Sequence, residues 1–207
     1  MDTYSLGMSK IFQKKETRRS ELIPVITQAF VDLGYNRATT AELARRCELR
    51  ENELYRLWDS KKSMFISAIQ CIYAGTMSEW ESLAKSRGNE SLAEKIISYQ
   101  AANHGKAGFF RIIFAGLQEV NDPEIKSALR EMYQQFHSTF VSLILEHHGE
   151  SDAKTADEAV AEAKLVAWAL IGIGAIADID RSINLTSATQ RKRLINGVGR
   201  DLLEMLA

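Results

Sequence analysis

Between Arg50 and Lys62 the sequence concentrates side chains that can hydrogen-bond to base edges or to phosphate groups. Arginine can donate two parallel bonds to guanine, asparagine can pair with adenine, and glutamate can accept from the amino group of cytosine. Arg50 and Asn52 are therefore our candidates for base contact. Glu51 and Glu53 have two interpretations, because acids in a first helical turn also stabilise the helix dipole.

A second group of candidates suits phosphate contact. Lys61 and Lys62 stand at the predicted start of a helix, where unpaired cations are unfavourable but a bound phosphate reverses the sign of the interaction. They could equally be ordinary solvated lysines. Tyr55 could place its hydroxyl on a phosphate or simply pack its ring. The remaining candidates for DNA contact are Thr39, Thr40 and Arg56.

Two short helices are predicted to position these residues. Thr39 followed by Glu42 fits a capping box, and the helix that it opens ends near residues 47–49. A second helix carries Leu54 and Trp58 on its apolar side. Helices this short do not persist alone, so both must pack on something else. A tightly turned pair whose second helix has a polar outer face is the helix-turn-helix pattern, in which that face is offered to a DNA groove.

At these residues the sequence resembles the tetracycline-repressor (TetR) family of bacterial transcriptional regulators. The resemblance covers about the first third of the chain, and residue type, order and spacing agree together. It is carried by Thr40, Leu43, Ala44, Leu49, Leu54, Tyr55, Trp58, Ser60, Lys61 and Phe65. The resemblance implies an all-α protein with an N-terminal three-helix DNA-binding domain, followed by a helical domain that binds an effector and dimerises.

Three positions depart from the family pattern. Arg50 stands where the family usually has a serine, so the second helix lacks its ordinary N-cap. Asn52 replaces a frequent glycine and adds a side chain where the backbone would approach DNA. Lys62 replaces the usual glutamate. These departures bear on the details of base contact rather than on the module.

Charge and composition agree with a phosphate-facing module on a larger body. The net charge is −1, but residues 10–62 hold twelve Lys or Arg against eight Asp or Glu, and residues 63–207 hold fourteen against eighteen. We expect a DNA-binding domain over residues 1–62, with a flexible arm over 1–15, and an effector-binding and dimerisation domain over 63–207. The basic front end fits DNA contact.

Several function classes lack support in the sequence. The two cysteines have no metal spacing, and there is no glycine-rich phosphate loop, nucleophile motif or Glu-x-x-His pair. We therefore expect no enzyme activity, no cofactor and no metal site. No N-terminal segment resembles a signal peptide, and the longest apolar run, 165–177, is too short to span a bilayer. A cytoplasmic protein without a membrane partner is expected.

The segment 159–177 is apolar nearly all round its predicted helix, so it must be buried on more than one side. It could be a central core helix of one chain. The resemblance instead favours a homodimer interface built from this helix around Trp168 and from the last helix around Leu202, Leu203 and Leu206. Dimerisation also fits DNA recognition, because one helix-turn-helix reads too few base pairs to be selective.

A small, largely apolar organic effector is the ligand that the resemblance implies. Aromatic and histidine side chains of the C-terminal part could line its pocket or form ordinary core. These candidates are Tyr99, His104, Phe110, Phe114, Tyr133, Phe136, His137, Phe140 and Trp168. The predicted function is a ligand-responsive regulator, most simply a repressor, that binds a palindromic double-stranded DNA operator as a homodimer. The alternative is a helical ligand-binding or scaffolding protein with a degenerate DNA-binding module.

Overall fold

The computed structural model describes the backbone of residues 3–105, 108–149 and 155–205, with side chains from residue 13 onward except that of Phe109. Helices joined by turns account for these residues, and no strand occurs among them, so the all-α prediction is confirmed. The helices are α1 (Thr3–Arg37), α2 (Thr40–Arg46), α3 (Glu51–Leu57), α4 (Lys61–Ala84), α5 (Leu92–Asn103), α6 (Phe109–Gln118), α7 (Pro123–His148), α8 (Ala156–Ile183) and α9 (Ala188–Glu204).

The chain divides into two compact units. The first comprises residues 1–74 and 111–129, and the second comprises residues 75–110 and 130–207. The predicted boundary at residue 62 thus falls inside the first unit, which also takes in the first part of α4 and the turn between α6 and α7. The sequence motif ends near residue 62, whereas the compact unit also includes the residues that pack against the motif.

Helix α1 differs from the sequence-based prediction at its start. It begins at Thr3, inside the segment predicted as a flexible arm, and Pro24 lies within it. Its regular turns are interrupted at Gly34, which has φ 72° and ψ 172°. A positive φ of this kind costs glycine little because it has no Cβ atom. The regular part of α1 therefore ends at Gly34.

The first unit has an aromatic core beneath the short helices. Phe30 of α1, Leu54 of α3 and Phe65 of α4 are fully buried, and Trp58 is almost so. The rings of Phe30 and Phe65 meet edge to face with centroids 4.9 Å apart. The indole of Trp58 donates a hydrogen bond to Ser67 Oγ over 3.0 Å. Full burial of each such side chain contributes about 1.5–3 kcal/mol, which holds α3 in a fixed orientation.

The helices of the second unit begin at polar caps. Ser91, Thr155 and Ser187 each accept a hydrogen bond from a backbone N–H of the first turn, and the acid or amide three residues later bonds back. This reciprocal arrangement is the capping box. Within this unit α9 packs against both α5 and α8. A small buried cluster of Ala101, Ala177 and Ile195 joins the three helices.

Helix α8 exposes an apolar stripe between residues 165 and 183. Together with Gly172, its exposed members recur every three or four residues and therefore lie on one helical face. They are Leu165, Trp168, Ile176, Ile179 and Ile183. Gly172 lies in the same register, and a Cβ atom added there would meet nothing within 4 Å. We call this face, with Gly172, the α8 stripe.

By length and composition α8 is apolar enough to cross a membrane, and it is the one such helix among the described residues. The apolar run 165–177 is short, but the helix that contains it is 28 residues long. Single helices of this kind are weak evidence for a membrane span, because core helices of soluble proteins meet the same criterion. Here most of the apolar window is not buried.

Candidate nucleic-acid interface and ligand cavity

Helix α2 is held by a cap and by a network of charged groups. Thr39 Oγ1 accepts a hydrogen bond from the backbone N–H of Glu42 over 3.2 Å. The Glu42 carboxylate does not bond back to the cap. It accepts instead from Arg45 at 2.7 Å and from Arg46 at 2.9 Å, so the predicted capping box is only half formed. Arg46 also donates to Asp32 of α1 over 2.5 Å, which ties α2 to α1.

The start of α3 confirms that a conventional N-cap is missing. Arg50 occupies the cap position, and its guanidinium has no acceptor atom with which to cap the helix. Glu53 compensates in part, because its Oε2 accepts from the backbone N–H of Arg50 over 2.9 Å. Glu51 Oε2 accepts from Thr40 Oγ1 over 2.6 Å, which joins α2 to α3. Both acids of α3 therefore have a structural partner.

The remaining polar side chains of α3 point away from the core. Arg50, Asn52 and Arg56 are exposed, and in the described structure their side chains make no hydrogen bond. Tyr55 is 44% exposed. The end of the helix is fixed by Arg19 of α1, whose Nε donates to the Leu57 carbonyl over 2.6 Å. Nothing in the local sequence pattern indicated this bond, because its partners are separated by 38 positions.

The two predicted phosphate-contacting lysines have different surroundings. Lys61 Nζ donates to the Tyr35 carbonyl over 3.1 Å and lies 4.3 Å from the centre of the Tyr35 ring. An ammonium has three donors, so this bond leaves donors for a phosphate. Lys62 Nζ lies 3.1 Å from Asp122 Oδ2 and also contacts the Glu124 carboxylate. The hydrogen bonds that Lys62 donates to the Glu124 and Asp122 carboxylates raise the pKa of Lys62, and contact with a phosphate would have to replace these partners.

A cavity of about 450 Å³ lies within the second unit. Its volume is in the range of pockets that hold small organic ligands. Six of the nine predicted effector-contacting residues line it. They are Tyr99, His104, Phe110, Tyr133, Phe136 and Phe140. The structure thus brings together side chains from α5, α6 and α7 and from the turn after α5.

Three predicted residues do not line this cavity. Phe114 belongs to the first unit. His137 and Trp168 form a ring pair with centroids 4.8 Å apart, and Trp168 is 51% exposed on the α8 stripe. His137 Nε2 also lies 3.0 Å from the Lys164 carbonyl oxygen. These two rings cover the surface between α7 and α8 instead of facing a ligand.

Part of the cavity wall consists of residues that the sequence did not identify individually. Thr76, Glu79 and Trp80 of α4 contribute to it, as do residues of α8 and α9 such as Gly174 and Ile195. The helical spacing of residues 76, 79 and 80 was a usable signal for a common face. Gly174 has a steric reason, because a Cβ atom there would lie 2.9 Å from the Phe110 ring.

The polar groups of the cavity are few. Burial raises the pKa of Tyr99, and the nearby Glu79 carboxylate, which also hydrogen-bonds to Tyr99, raises it further. Burial lowers the pKa of His104, so its imidazole is neutral near pH 7. The His104 ring lies against Phe110 with centroids 5.7 Å apart. An apolar ligand with a small polar part would suit such a lining.

The described residues were also searched for groups of metal ligands and for reactive cysteines. Across the described residues no three His, Cys, Asp or Glu side chains are grouped closely enough to hold a metal ion. Cys47 is buried and Cys71 partly so, and neither forms a disulfide. Burial raises the pKa of the Cys47 thiol, which keeps it protonated and unreactive.

Comparisons with known proteins were informative through structure alone. No protein-family model matches the chain, and no curated protein matches it by sequence. A TetR-family transcriptional regulator from Cytophaga hutchinsonii superposes with a TM-score of 0.72 at 13% identity, over 93% of this chain and 96% of the other. A TetR-family regulator from Agrobacterium tumefaciens gives 0.66 at 14%, over 92% and 98%.

A third example is a TetR transcriptional regulator from Chloroflexus aurantiacus, with a TM-score of 0.61 at 14% identity over 91% of this chain and 95% of the other. In all three cases more than nine tenths of both chains is matched. The sequence motif of residues 38–65 and the arrangement of the helices therefore indicate the same fold. The chain has the fold of the TetR-family transcriptional regulators.

Proposed function

We propose that the protein is a ligand-responsive transcriptional regulator, acting as a repressor, that binds a palindromic operator as a homodimer. The observation that carries the proposal is the geometry of α3. Leu54 and Trp58 fix the helix on a buried aromatic core, while Asn52 and Arg56 are exposed on its opposite face and Arg50 is exposed at its N-cap. A recognition helix needs this combination, because base contacts require side chains that are held in register.

The α8 stripe supports the homodimer. Soluble monomers seldom leave a long contiguous apolar face uncovered, and such faces usually mark interaction sites. Leu194, Val198 and Met205 of α9 are also exposed, whereas Leu203 is fully buried. Of the three leucines predicted at this interface, Leu203 is therefore excluded, the half-buried Leu202 stays a prediction, and Leu206 lies outside the described residues. A second copy of the chain would cover both faces.

A cytoplasmic location fits this proposal better than a membrane span by α8. One side of α8 packs against α9, and other residues of α8 line the cavity, so only one face is free. Asp178 and Asp180 are buried near its end in ion pairs with Arg181 and Arg191. A lipid-embedded helix would have to give up these contacts with its own unit.

The cavity supports a small, largely apolar effector. Helix α4 has residues in both compact units, since it starts beside the helix-turn-helix and supplies Thr76, Glu79 and Trp80 to the cavity. It is therefore a covalent route between ligand and DNA module. The effector releases DNA only if it binds more tightly to a conformer that does not fit the operator, since equal affinity for both conformers shifts nothing.

Selection of DNA from a random duplex library by the purified protein tests the proposal. We expect enrichment of a two-fold symmetric sequence whose half-sites are centred at least about one helical turn apart. Recovery of no common sequence would contradict DNA recognition. Enrichment of a single, asymmetric half-site would contradict the dimer.

A second candidate is a ligand-binding helical protein whose helix-turn-helix no longer reads DNA. The contacts of Lys62 with Asp122 and Glu124 favour it, because they neutralise one of the cations at the expected phosphate site. Glu51 and Glu53 add negative charge to the same face. The same selection separates the candidates, since this protein would bind ligand but enrich no sequence.

A further inference from the structure

The charges around the cavity limit the kind of effector that it can accept. Among the described residues that line it, Glu79 is the one with a formal charge, since His104 is neutral. The buried acids of α8, Asp178 and Asp180, do not line the cavity and are paired with Arg181 and Arg191. The cavity is therefore biased toward cations and against anions.

Aromatic rings make up much of the remaining wall. Trp80 follows Glu79 directly, and its ring meets Phe140 edge to face at 5.1 Å and Phe136 at 5.8 Å. Tyr99 and Tyr133 line the same space. Faces of aromatic rings carry partial negative charge and attract cations, most strongly where water is excluded. A carboxylate beside a group of rings is a suitable site for a positive charge on an apolar body.

We propose that the effector is a lipophilic organic cation, whose positive centre lies between Glu79 and the rings around Trp80. This inference rests on the proposed role of the cavity as the effector site. It adds the charge of the ligand, which the apolar character of the wall does not specify. An anionic ligand of the same shape should bind more weakly for two reasons. It lacks the attraction to the aromatic rings, and the Glu79 carboxylate repels it.

A pair of ions of opposite charge and nearly equal shape tests the inference without DNA. Tetraphenylphosphonium and tetraphenylborate are titrated into the full-length protein by isothermal calorimetry, with triphenylphosphine oxide as a neutral third probe. We expect tetraphenylphosphonium to bind at least about tenfold more tightly than tetraphenylborate, because the contribution of Glu79 changes sign between them. Equal affinities, tighter binding of the anion or the neutral probe, or no binding of any probe would overturn the inference.

Three variants assign the effect to its residue. Glu79→Gln keeps the shape and should weaken tetraphenylphosphonium about fivefold while tetraphenylborate gains, as expected for loss of a partly solvated ion pair. Glu81→Gln removes the same charge from an exposed position of α4 outside the lining and should change neither affinity. Tyr99→Phe removes the phenol that hydrogen-bonds to Glu79 and should preserve the preference for the cation.

The variant results also separate this inference from the proposed function. If Glu81→Gln weakens the cation as much as Glu79→Gln, the preference reflects net charge and the site assignment is wrong. If the cavity prefers the anion but the protein still selects an operator, only the charge inference fails. If no operator is selected, the proposed function fails, and calorimetry still decides the charge of the ligand.

Discussion

At the scale of single residues, the exposed face of α3 contains two kinds of side chain. Glu53 bonds to the backbone at the start of its own helix, and Glu51 is held by Thr40. Arg50 and Asn52 have no such partner in the described structure. The acids are thus partly committed to holding the helix, while the arginine and the asparagine can contact bases.

This difference leads to distinct effects of two substitutions on DNA binding. Arg50→Ala should cost about 1–3 kcal/mol per half-site and relax the preference at one base position. Lys61→Ala should weaken binding to all sequences alike and reduce the salt dependence by about one counterion per subunit. The measurement is a titration of selected and scrambled duplexes at several salt concentrations.

The matched control is Arg87→Ala, which removes one exposed cation from the second unit. It should leave both the sequence preference and the salt dependence nearly unchanged. Should Arg87→Ala reduce the salt dependence as much as Lys61→Ala, the phosphate assignment of Lys61 would be lost. A sequence preference that survives Arg50→Ala at every position would exclude Arg50 as a base reader.

At the scale of helices, α1 and α2 are joined by Arg46, which bonds to Asp32 and Glu42 at once. Hydrogen bonds from Arg45 and Arg46 lower the pKa of Glu42 to about 2. Hydrogen bonds from Arg46 and Gln28 lower the pKa of Asp32 as well. These ion pairs keep the short helix α2 in place because its own length is insufficient.

The lowered pKa of Glu42 predicts an acid-sensitive contribution to stability. A carboxylate whose pKa is lower in the folded state stabilises fully above its unfolded pKa and loses that effect as pH falls. The window here runs from the ordinary value of 4.5 down to about 2. Glu42→Gln should therefore melt below wild type at pH 7, and the difference should shrink through this window when unfolding is followed by circular dichroism. A difference that is constant with pH would contradict the prediction.

Several helix boundaries are predictable from the sequence because their signals are local. Ser91, Thr155 and Ser187 each precede an acid or amide by three positions, and the observed helices start directly after them. The partners of Lys62 were not predictable, since Asp122 lies 60 positions away. The cavity was predicted in part, because aromatic residues stand out in a helical domain whereas Glu79 gains its role only through packing.

At the scale of the whole molecule, the α8 stripe is an extended apolar face that the described residues of one chain leave exposed. Ile176→Glu should abolish self-association, because burying an unpaired carboxylate in an apolar interface costs several kcal/mol. Light scattering at micromolar protein should give twice the chain mass for wild type and a single chain for the variant. The control is Leu117→Glu, at an apolar position 47% exposed on α6 of the first unit, which should leave the mass doubled.

A monomeric wild type would contradict the dimer, and so would a dimer that survives Ile176→Glu. The size of the expected interface is that of a stable complex, which typically removes about 1,200–2,000 Å² from water. Loss of the dimer should also weaken operator binding, because the two recognition helices would no longer be linked. That loss should appear in the same variant without any change to residues of α2 or α3.

Because of the exposed stripe, the stability of the protein and its resistance to proteolysis should depend on its own concentration. When folded chains are stabilised by pairing, the melting temperature rises with the concentration of the protein itself. Newly made chains that are too dilute to pair would keep Ile176 and Ile183 in water and open more often to proteases. A scan of melting temperature over a hundredfold range of concentration would reveal the coupling, and Ile176→Glu should flatten it. Scarce chains would then turn over quickly, while abundant chains would persist.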